Sequence, residues 1–473
     1  MTDHKWKNQT LPTALILLAL ALPMPAAQSN GKDVSAVNDL DRPTYHFQPP
    51  KNWMNDPKPF FHKGEYHIFF QYNPNAPYPE RIHWGHAVSR DLAHWTQLPD
   101  ALTPTPDGPD KDGCWTGCTV EKDGVYHILY TGVQPQVQCL ATSKDMVTWE
   151  KYRDNPVIAK APEGFGDCWR DPCAWKESDA WYMVIGSQRA DTGAALLYRS
   201  SDLIHWEYLH PLYTGDKAVD GIMFECPDFF ALGAKHVLLS SCGVTFWRTG
   251  RYDQHKFTME KHGVTDGGHF YAAKTLLDGK GRRILWGWVT EGRPQEECTA
   301  AGWSGVLSLP RALGIRKDGA LSISPVPELK ALRGAKHAVS MKTDSVKMLD
   351  DIRGQALEVI ARFKPNGAKR IGLVLRSTAD QSECTSVYAD QEQKLLVAED
   401  AKGRRVQAPF EVTPGEEITL HAFLDHSVIE VFANDRACLT ARSYTQRPDA
   451  DHIGIFSAGP AECSLEAWEI GNR

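Results

Sequence analysis

Apolar residues along this chain come in short runs rich in aromatic and β-branched side chains. The runs begin near Tyr66, Tyr126, Tyr182, His236 and Arg283, at spacings of 47 to 60 residues. Period-two alternation is common and 3.6-residue periodicity is poor, so strands are predicted rather than helices. A second unit recurs with them: Ser-x-Asp-(Leu/Met)-x-x-Trp occurs at Ser89–Trp95, Ser143–Trp149 and Ser200–Trp206, with the tryptophans 54 and 57 residues apart. Tyr252-Asp253-Gln254-His255-Lys256-Phe257 reads as a worn fourth copy. Five β-rich units of this length, with turn residues dense between them, predict an all-β fold: a five-bladed β-propeller with four short strands per blade. An array of β-sandwiches with coincidental Ser-x-Asp turns is the competing reading.

The pattern changes after Pro325-Val326-Pro327. From about residue 340 the Ser-x-Asp unit disappears and alternating strands take over, such as Leu357–Phe363 and Val428–Phe432. Polar turns between them predict a C-terminal β-sandwich over residues 340–473, following a propeller over 43–335. Ahead of both, Lys5 and Lys7 precede the apolar run Leu11–Leu22, and Pro25-Ala26-Ala27 supplies small residues for cleavage. That is the form of a signal peptide, residues 1–27, and the run is too short for a permanent membrane anchor. A secreted or periplasmic protein is expected, with no membrane partner once the signal is removed.

Composition narrows the partners. A net charge of -7 and a pI near 6.2 argue against nucleic acid. The 15 tryptophans and 15 tyrosines suit the apolar C–H faces of sugars. Eleven cysteines cannot all pair within the chain. Cys114 with Cys118, or Cys168 with Cys173, could bridge in an oxidising compartment, and most of the others read as small buried hydrophobes. With no Cys-x-x-Cys pair and no histidine cluster at ligand spacing, neither a metal nor a cofactor is expected.

Three carboxylates occupy one place in the repeat. Asp56 in Trp53-Met54-Asn55-Asp56-Pro57, Asp171 in Trp169-Arg170-Asp171-Pro172 and Glu225 in Phe224-Glu225-Cys226-Pro227 each precede an apolar run by 10 or 11 residues. Positions equivalent by repeat face one another around a propeller axis. Retaining glycosidases need two carboxyl groups about 5 Å apart, one an ionised nucleophile and one a proton donor. Asp56 is short and is flanked by Asn55, which suits the nucleophile. Glu225 has the longer arm, and Phe224 and Met223 are expected to desolvate it as the acid/base. Asp171, beside Arg170, is expected to stay charged and to hold sugar hydroxyls.

These three segments resemble the motifs of the invertase, levanase and inulinase family, glycoside hydrolase family 32. The resemblance runs from about Pro43 to Arg311, and Phe423-Leu424-Asp425-His426-Ser427-Val428-Ile429-Glu430-Val431-Phe432 is similar to that family's C-terminal sandwich signature. It implies a five-bladed propeller followed by a sandwich. It also implies release of terminal β-fructosyl units with net retention: Asp56 attacks, Glu225 donates and then takes a proton, and Asp171 stabilises the transition state. Further residues implied at the substrate are Asn55, Gln71, Trp84, Trp115, Thr116, Arg170 and, on the leaving-group side, Asp266.

Two departures stand out. Where the family usually has a tryptophan ahead of Trp84-Gly85-His86, this chain reads Pro77-Tyr78-Pro79, and Cys118 stands where serine is common. The first affects substrate preference rather than chemistry. The leading expectation is an exported hydrolase of sucrose, inulin or levan. The alternatives are a fructosyltransferase with a sugar acceptor in place of water, and a fructan-binding propeller without catalysis. The sandwich is expected to bury an apolar flank of the propeller or to support a homodimer.

Overall fold

The computed structural model describes residues 39–178 and 180–471; the expected signal peptide lies outside them. Among the described residues the strands form seven sheets, five of them antiparallel meanders in chain order. Blade 1 comprises Asn52–His62, Glu65–Asn73, His83–Ser89 and Thr96–Leu102. Blade 2 comprises Cys114–Lys122, Val125–Gly132, Val137–Ser143 and Glu150–Lys151. Blade 3 comprises Trp169–Glu177, Ala180–Arg189, Thr192–Ser200 and Glu207–Thr214, and blade 4 Glu225–Leu232, Lys235–Cys242, Val244–Asp253 and Lys256–Val264. Blade 5 comprises Tyr271–Leu277, Arg283–Val289, Arg311–Ile315 and Leu321–Pro325, with the short Val306–Leu307 alongside. The five apolar runs seen in the sequence are the second strands of the five blades. The first strands of neighbouring blades pack on one another around the axis.

Trp303–Ser304, late in the chain, adds in parallel to Asn52–His62 of blade 1, so the last part of the propeller is tied to the first. The Ser-x-Asp turns explain themselves at the atomic level. Ser89, Ser143 and Ser200 each accept from the amide three residues on, at 2.9 Å, and Asp91, Asp145 and Asp202 cap the amides that follow. These bonds hold Leu92, Met146 and Leu203 at φ of 67°, 63° and 74° and press them into the core. The segment at Tyr252 is not a fourth copy. It is a two-residue hairpin with Gln254 and His255 at φ of 48° and 60°, closing Tyr252 against Phe257 with no serine.

The remaining two sheets have six strands each and face one another across Leu357, Val359, Ala361 and Phe363 on one side and Ile371, Leu373 and Leu375 on the other. The first strand of this sandwich runs Arg333–Thr343, starting ahead of residue 340. The segment that resembled a sandwich signature is a hairpin whose two acids face the propeller. Asp425 binds the Tyr45 and His46 amides and His46 Nδ1, and Glu430 binds His46 Nε2 and Arg311. Neither cysteine pairing suggested by spacing fits. All four are free thiols: Cys114 is buried with Sγ donating to Asp110, Cys118 Sγ accepts from the Ala174 amide, and Cys168 is exposed ahead of the strand that carries Cys173.

Candidate active site

All five first strands carry a β-bulge at the same level. Pairing is interrupted between Asn55 and Pro57, Cys114 and Gly117, Arg170 and Cys173, Glu225 and Asp228, and Tyr271 and Lys274. A bulge adds a residue that the partner strand does not match, bends the strand and re-aims side chains. Asp56, Asp171, Cys226 and Ala272 take φ values of 33°, 64°, 49° and 53° there, a region costly for residues with a Cβ. Packing is close enough that a Cβ on Gly186 of blade 3 would lie 1.7 Å from the Phe224 carbonyl.

The bulges turn Asp56, Asp171 and Glu225 into one cavity of about 450 Å³, which Asn55, Gln71, Trp115, Arg170 and Tyr271 also line. Thr116 Oγ1 donates to Asp56 Oδ2 at 2.7 Å, and Gln71 Nε2 donates to Thr116 Oγ1 at 2.7 Å and to the same carboxylate at 3.3 Å. The Cys226 amide donates to Asp171 Oδ2 at 2.8 Å and its thiol to Asp56 Oδ2 at 3.6 Å, so one residue links two acids. Arg170 Nη2 donates to Glu225 Oε1 at 2.6 Å, and Tyr271 Oη donates to Glu225 Oε2. Asn55 Oδ1 is buried at the cavity with no partner.

Charge is crowded here. Burial pushes Asp56 up to about 6; Lys58 and the Thr116 hydroxyl oppose this, while Asp171 and Glu225 add to it. Burial likewise pulls Lys58 down to about 7 against the attraction of Asp56. Lys58 is buried beneath the site, where Nζ donates to the Asp56 carbonyl at 2.9 Å and lies 4.6 Å from the Trp84 ring centroid.

Several residues sit differently from expectation. Asp171 is raised, not held low: burial outweighs Arg170, whose guanidinium is committed to Glu225. Phe224 does not desolvate Glu225. It packs under Arg248, 4.6 Å from its ring, and the Glu225 carboxylate has polar neighbours instead. Trp84 and Thr116 are buried behind the cavity wall, where Trp84 Nε1 holds the Trp115 carbonyl at 2.9 Å. Asp266 does not line the cavity at all. It is buried at the contact with the sandwich, bound to Arg311 at 2.9 Å and to the Thr440 amide and hydroxyl at 2.8 and 2.7 Å. It follows Thr265 and precedes two glycines and a histidine, so nothing in the local sequence distinguished an inward-facing acid from one facing the second module.

Sequence reasoning missed Lys58, Glu291 and Arg293. Lys58 stands between two prolines, where a cation reads as exposed turn; its position on an inward strand two residues past an acid was the available signal. Glu291 and Arg293 line the outer cavity as a bidentate pair at 3.1 and 2.9 Å, with Arg293 stacked 4.1 Å from the Trp303 centroid. Tyr78 does reach the rim, between Pro77 and Pro79.

Three carboxyl groups at one end of a propeller axis, in a cavity lined by aromatic rings and amides, define a glycoside hydrolase. Residues 46–325 match the family described as Glycosyl hydrolases family 32 N-terminal domain, and residues 328–469 match Glycosyl hydrolases family 32 C terminal. The chain belongs to glycoside hydrolase family 32. It is similar to the sucrose-6-phosphate hydrolase of Zymomonas mobilis, 35% identical over 87% of this chain and 88% of that one. It is also similar to the raffinose invertase of Escherichia coli, 34% identical over 88% and 92%. Among solved structures, fructan 1-exohydrolase IIa from Cichorium intybus superposes with a TM-score of 0.85 at 30% identity, covering 92% of this chain and 98% of that one. A glutamate-to-glutamine variant of the same chicory enzyme has been solved in complex with 1-kestose.

Proposed function

We propose that this protein is a retaining β-fructofuranosidase that removes terminal fructosyl units from unphosphorylated sucrose or fructans, levan included, outside the cytoplasm. The observation that carries the reading is the convergence of Asp56, Asp171 and Glu225, each delivered by a bulge of a different blade, on one cavity. In this mechanism Asp56 attacks the anomeric carbon, and its other oxygen stays held by Thr116. Glu225, steered by Arg170 and Tyr271, protonates the departing oxygen and then deprotonates water, giving two displacements and net retention. Asp171 and the unpartnered Asn55 Oδ1 accept from fructose hydroxyls, Gln71 positions Asp56, and Trp115 supplies an apolar face.

The preference for an unphosphorylated substrate has its own support. Among the described residues the cations lining the cavity are Arg170 and Arg293, and each is already paired with a glutamate. Four acids outnumber them, which leaves a field that repels a phosphate. Export rests on the residue 1–27 pattern, and among the described residues no helix is long and apolar enough to cross a membrane. Exposed large apolar residues are single and scattered at Val147, Ile222, Leu277 and Val346, which lends no support to the homodimer.

The test is fructose and glucose release from sucrose, sucrose 6-phosphate, inulin and levan, with Asp56→Ala and Glu225→Ala alongside. Equal fructose and glucose from sucrose, lost in both variants, supports hydrolysis; glucose in excess would indicate transfer. A preference for the phosphorylated sugar would overturn the charge argument.

A further inference from the structure

The propeller axis has a second mouth. Past the bulges the same five first strands line a separate cavity of about 470 Å³, with Pro59, Cys118, Cys173, Asp228 and Thr275 as the contributions of blades 1 to 5. Two of the eleven free thiols line it together: Cys118 of blade 2 and Cys173 of blade 3, on first strands that pack directly against one another. Cys118 Sγ also accepts from the Ala174 amide at 3.2 Å, which fixes it against the neighbouring strand, and Cys173 Sγ donates to Asp228 Oδ1 at 3.4 Å. The buried Lys274 ammonium, held by the Pro227 carbonyl at 2.7 Å, faces both sulfurs.

We propose that Cys118 and Cys173 form a disulfide that staples blade 2 to blade 3, a modification site independent of the fructosidase reading. The oxidant is a small-molecule disulfide, which the cavity is large enough to admit. The adjacent Cys173 thiol and the Lys274 ammonium both favour thiolate at Cys118, and burial does not outweigh them. The Cys118 thiolate attacks one sulfur of the oxidant and expels a thiolate, which leaves a mixed disulfide. Cys173 then gives its proton to solvent and attacks the Cys118 sulfur, expelling the second thiolate. Two protein thiols are oxidised and one external disulfide is reduced to two thiols. The bridge closes a loop of 55 residues between positions 118 and 173, and it ties strands that carry Thr116 and Asp171 two residues upstream.

Folded, reduced protein treated with oxidised glutathione and mapped without reduction should yield one peptide linking Cys118 to Cys173. Its melting temperature should rise by about 4 °C and fall again with dithiothreitol. Cys118→Ser should abolish both effects. Cys173→Ala should instead leave Cys118 as a glutathione adduct. If either variant fails to fold, the other and the wild-type map still decide. The proposal is overturned if oxidised, folded protein keeps both thiols open to alkylation after unfolding, or if either sulfur is recovered linked to a different cysteine.

Discussion

Thr116→Val removes one buried hydroxyl from behind the cavity wall without changing the shape of the side chain. In the structure that hydroxyl donates to Asp56 Oδ2 at 2.7 Å and opposes the burial that pushes Asp56 up to about 6. A hydrogen bond to a charged acceptor contributes about 1.5–3 kcal/mol, and 1.36 kcal/mol corresponds to one pKa unit. Losing it should raise Asp56 by about 1 to 2 units. Gln71 places the answer near the lower end, because its amide already lies 3.3 Å from the same oxygen and is freed when Thr116 no longer accepts from it. The nucleophile must be ionised, so the acid limb of kcat/KM should move from near pH 6 to near pH 7. The assay is kcat/KM for fructose release from sucrose between about pH 4.5 and 9. Activity should fall about tenfold at pH 5 and recover to within about twofold at pH 9. A folded variant whose activity is lowered equally at every pH, with its acid limb unmoved, would refute the claim that Thr116 sets the ionisation of Asp56.

Lys58→Met removes the cation that most strongly opposes protonation of Asp56, and the acid limb should rise by about 1 to 2 units in the same profile; an unmoved limb would make Lys58 a packing residue only. His46 lies between Asp425 and Glu430, and although burial pulls it down, the two hydrogen-bonded carboxylates carry it up to about 9. A folded-state value above the unfolded 6.5 means the stability it adds is complete below pH 6.5 and is lost as pH rises through 9. Urea midpoints should therefore reveal a loss of about 3 kcal/mol over that window, absent in His46→Gln. Asp266→Asn breaks a buried pair with Arg311, which Glu430 still partly compensates. It should cost about 3 kcal/mol in urea unfolding and leave KM for sucrose within about twofold; a large rise in KM would return Asp266 to the substrate.

What was legible in the sequence was whatever repeats. The second strand of each blade is buried on both faces, so Tyr66–Phe70 and Tyr182–Ile185 appear as continuous apolar runs that no turn or loop would show. The three acids were legible because each stands at a constant offset from such a run. Direction was not legible. Whether Asp266 points into the cavity or into the second module depends on Arg311 and Thr440, which lie far along the chain. The proximity of Cys118 and Cys173 likewise arises because blades 2 and 3 place equivalent strand positions side by side, and spacing along the chain suggested other pairs. The worn copy at Tyr252 failed for a local reason: Asp253 is in place but Arg251 stands where the capping serine would be, and without that cap a two-residue hairpin is the cheaper turn.

The bulges raise a problem that the buried lysines answer. A bulge re-aims nearby side chains towards the cavity and takes the carbonyl of an unmatched residue out of the ladder. In blade 1 that carbonyl belongs to Asp56 and receives Lys58 Nζ; in blade 4 it belongs to Pro227 and receives Lys274 Nζ. Each ammonium satisfies a backbone acceptor that would otherwise be buried and unpaired, at a cost of about 1–3 kcal/mol. Each also brings a positive charge under the carboxylates from the side substrate cannot reach, and Lys58 and Lys274 oppose protonation of Asp56 and Asp171 respectively. Cations on the cavity side would compete with the sugar for those same oxygens. Arg170 and Arg293 are the exceptions that face the cavity, and each is paired with a glutamate, Arg170 with Glu225, the group that must take and release a proton, and Arg293 with Glu291. The carbonyls freed by the bulges thus hold the cations that oppose protonation of two of the acids, Lys58 from the same strand as Asp56 and Lys274 from blade 5.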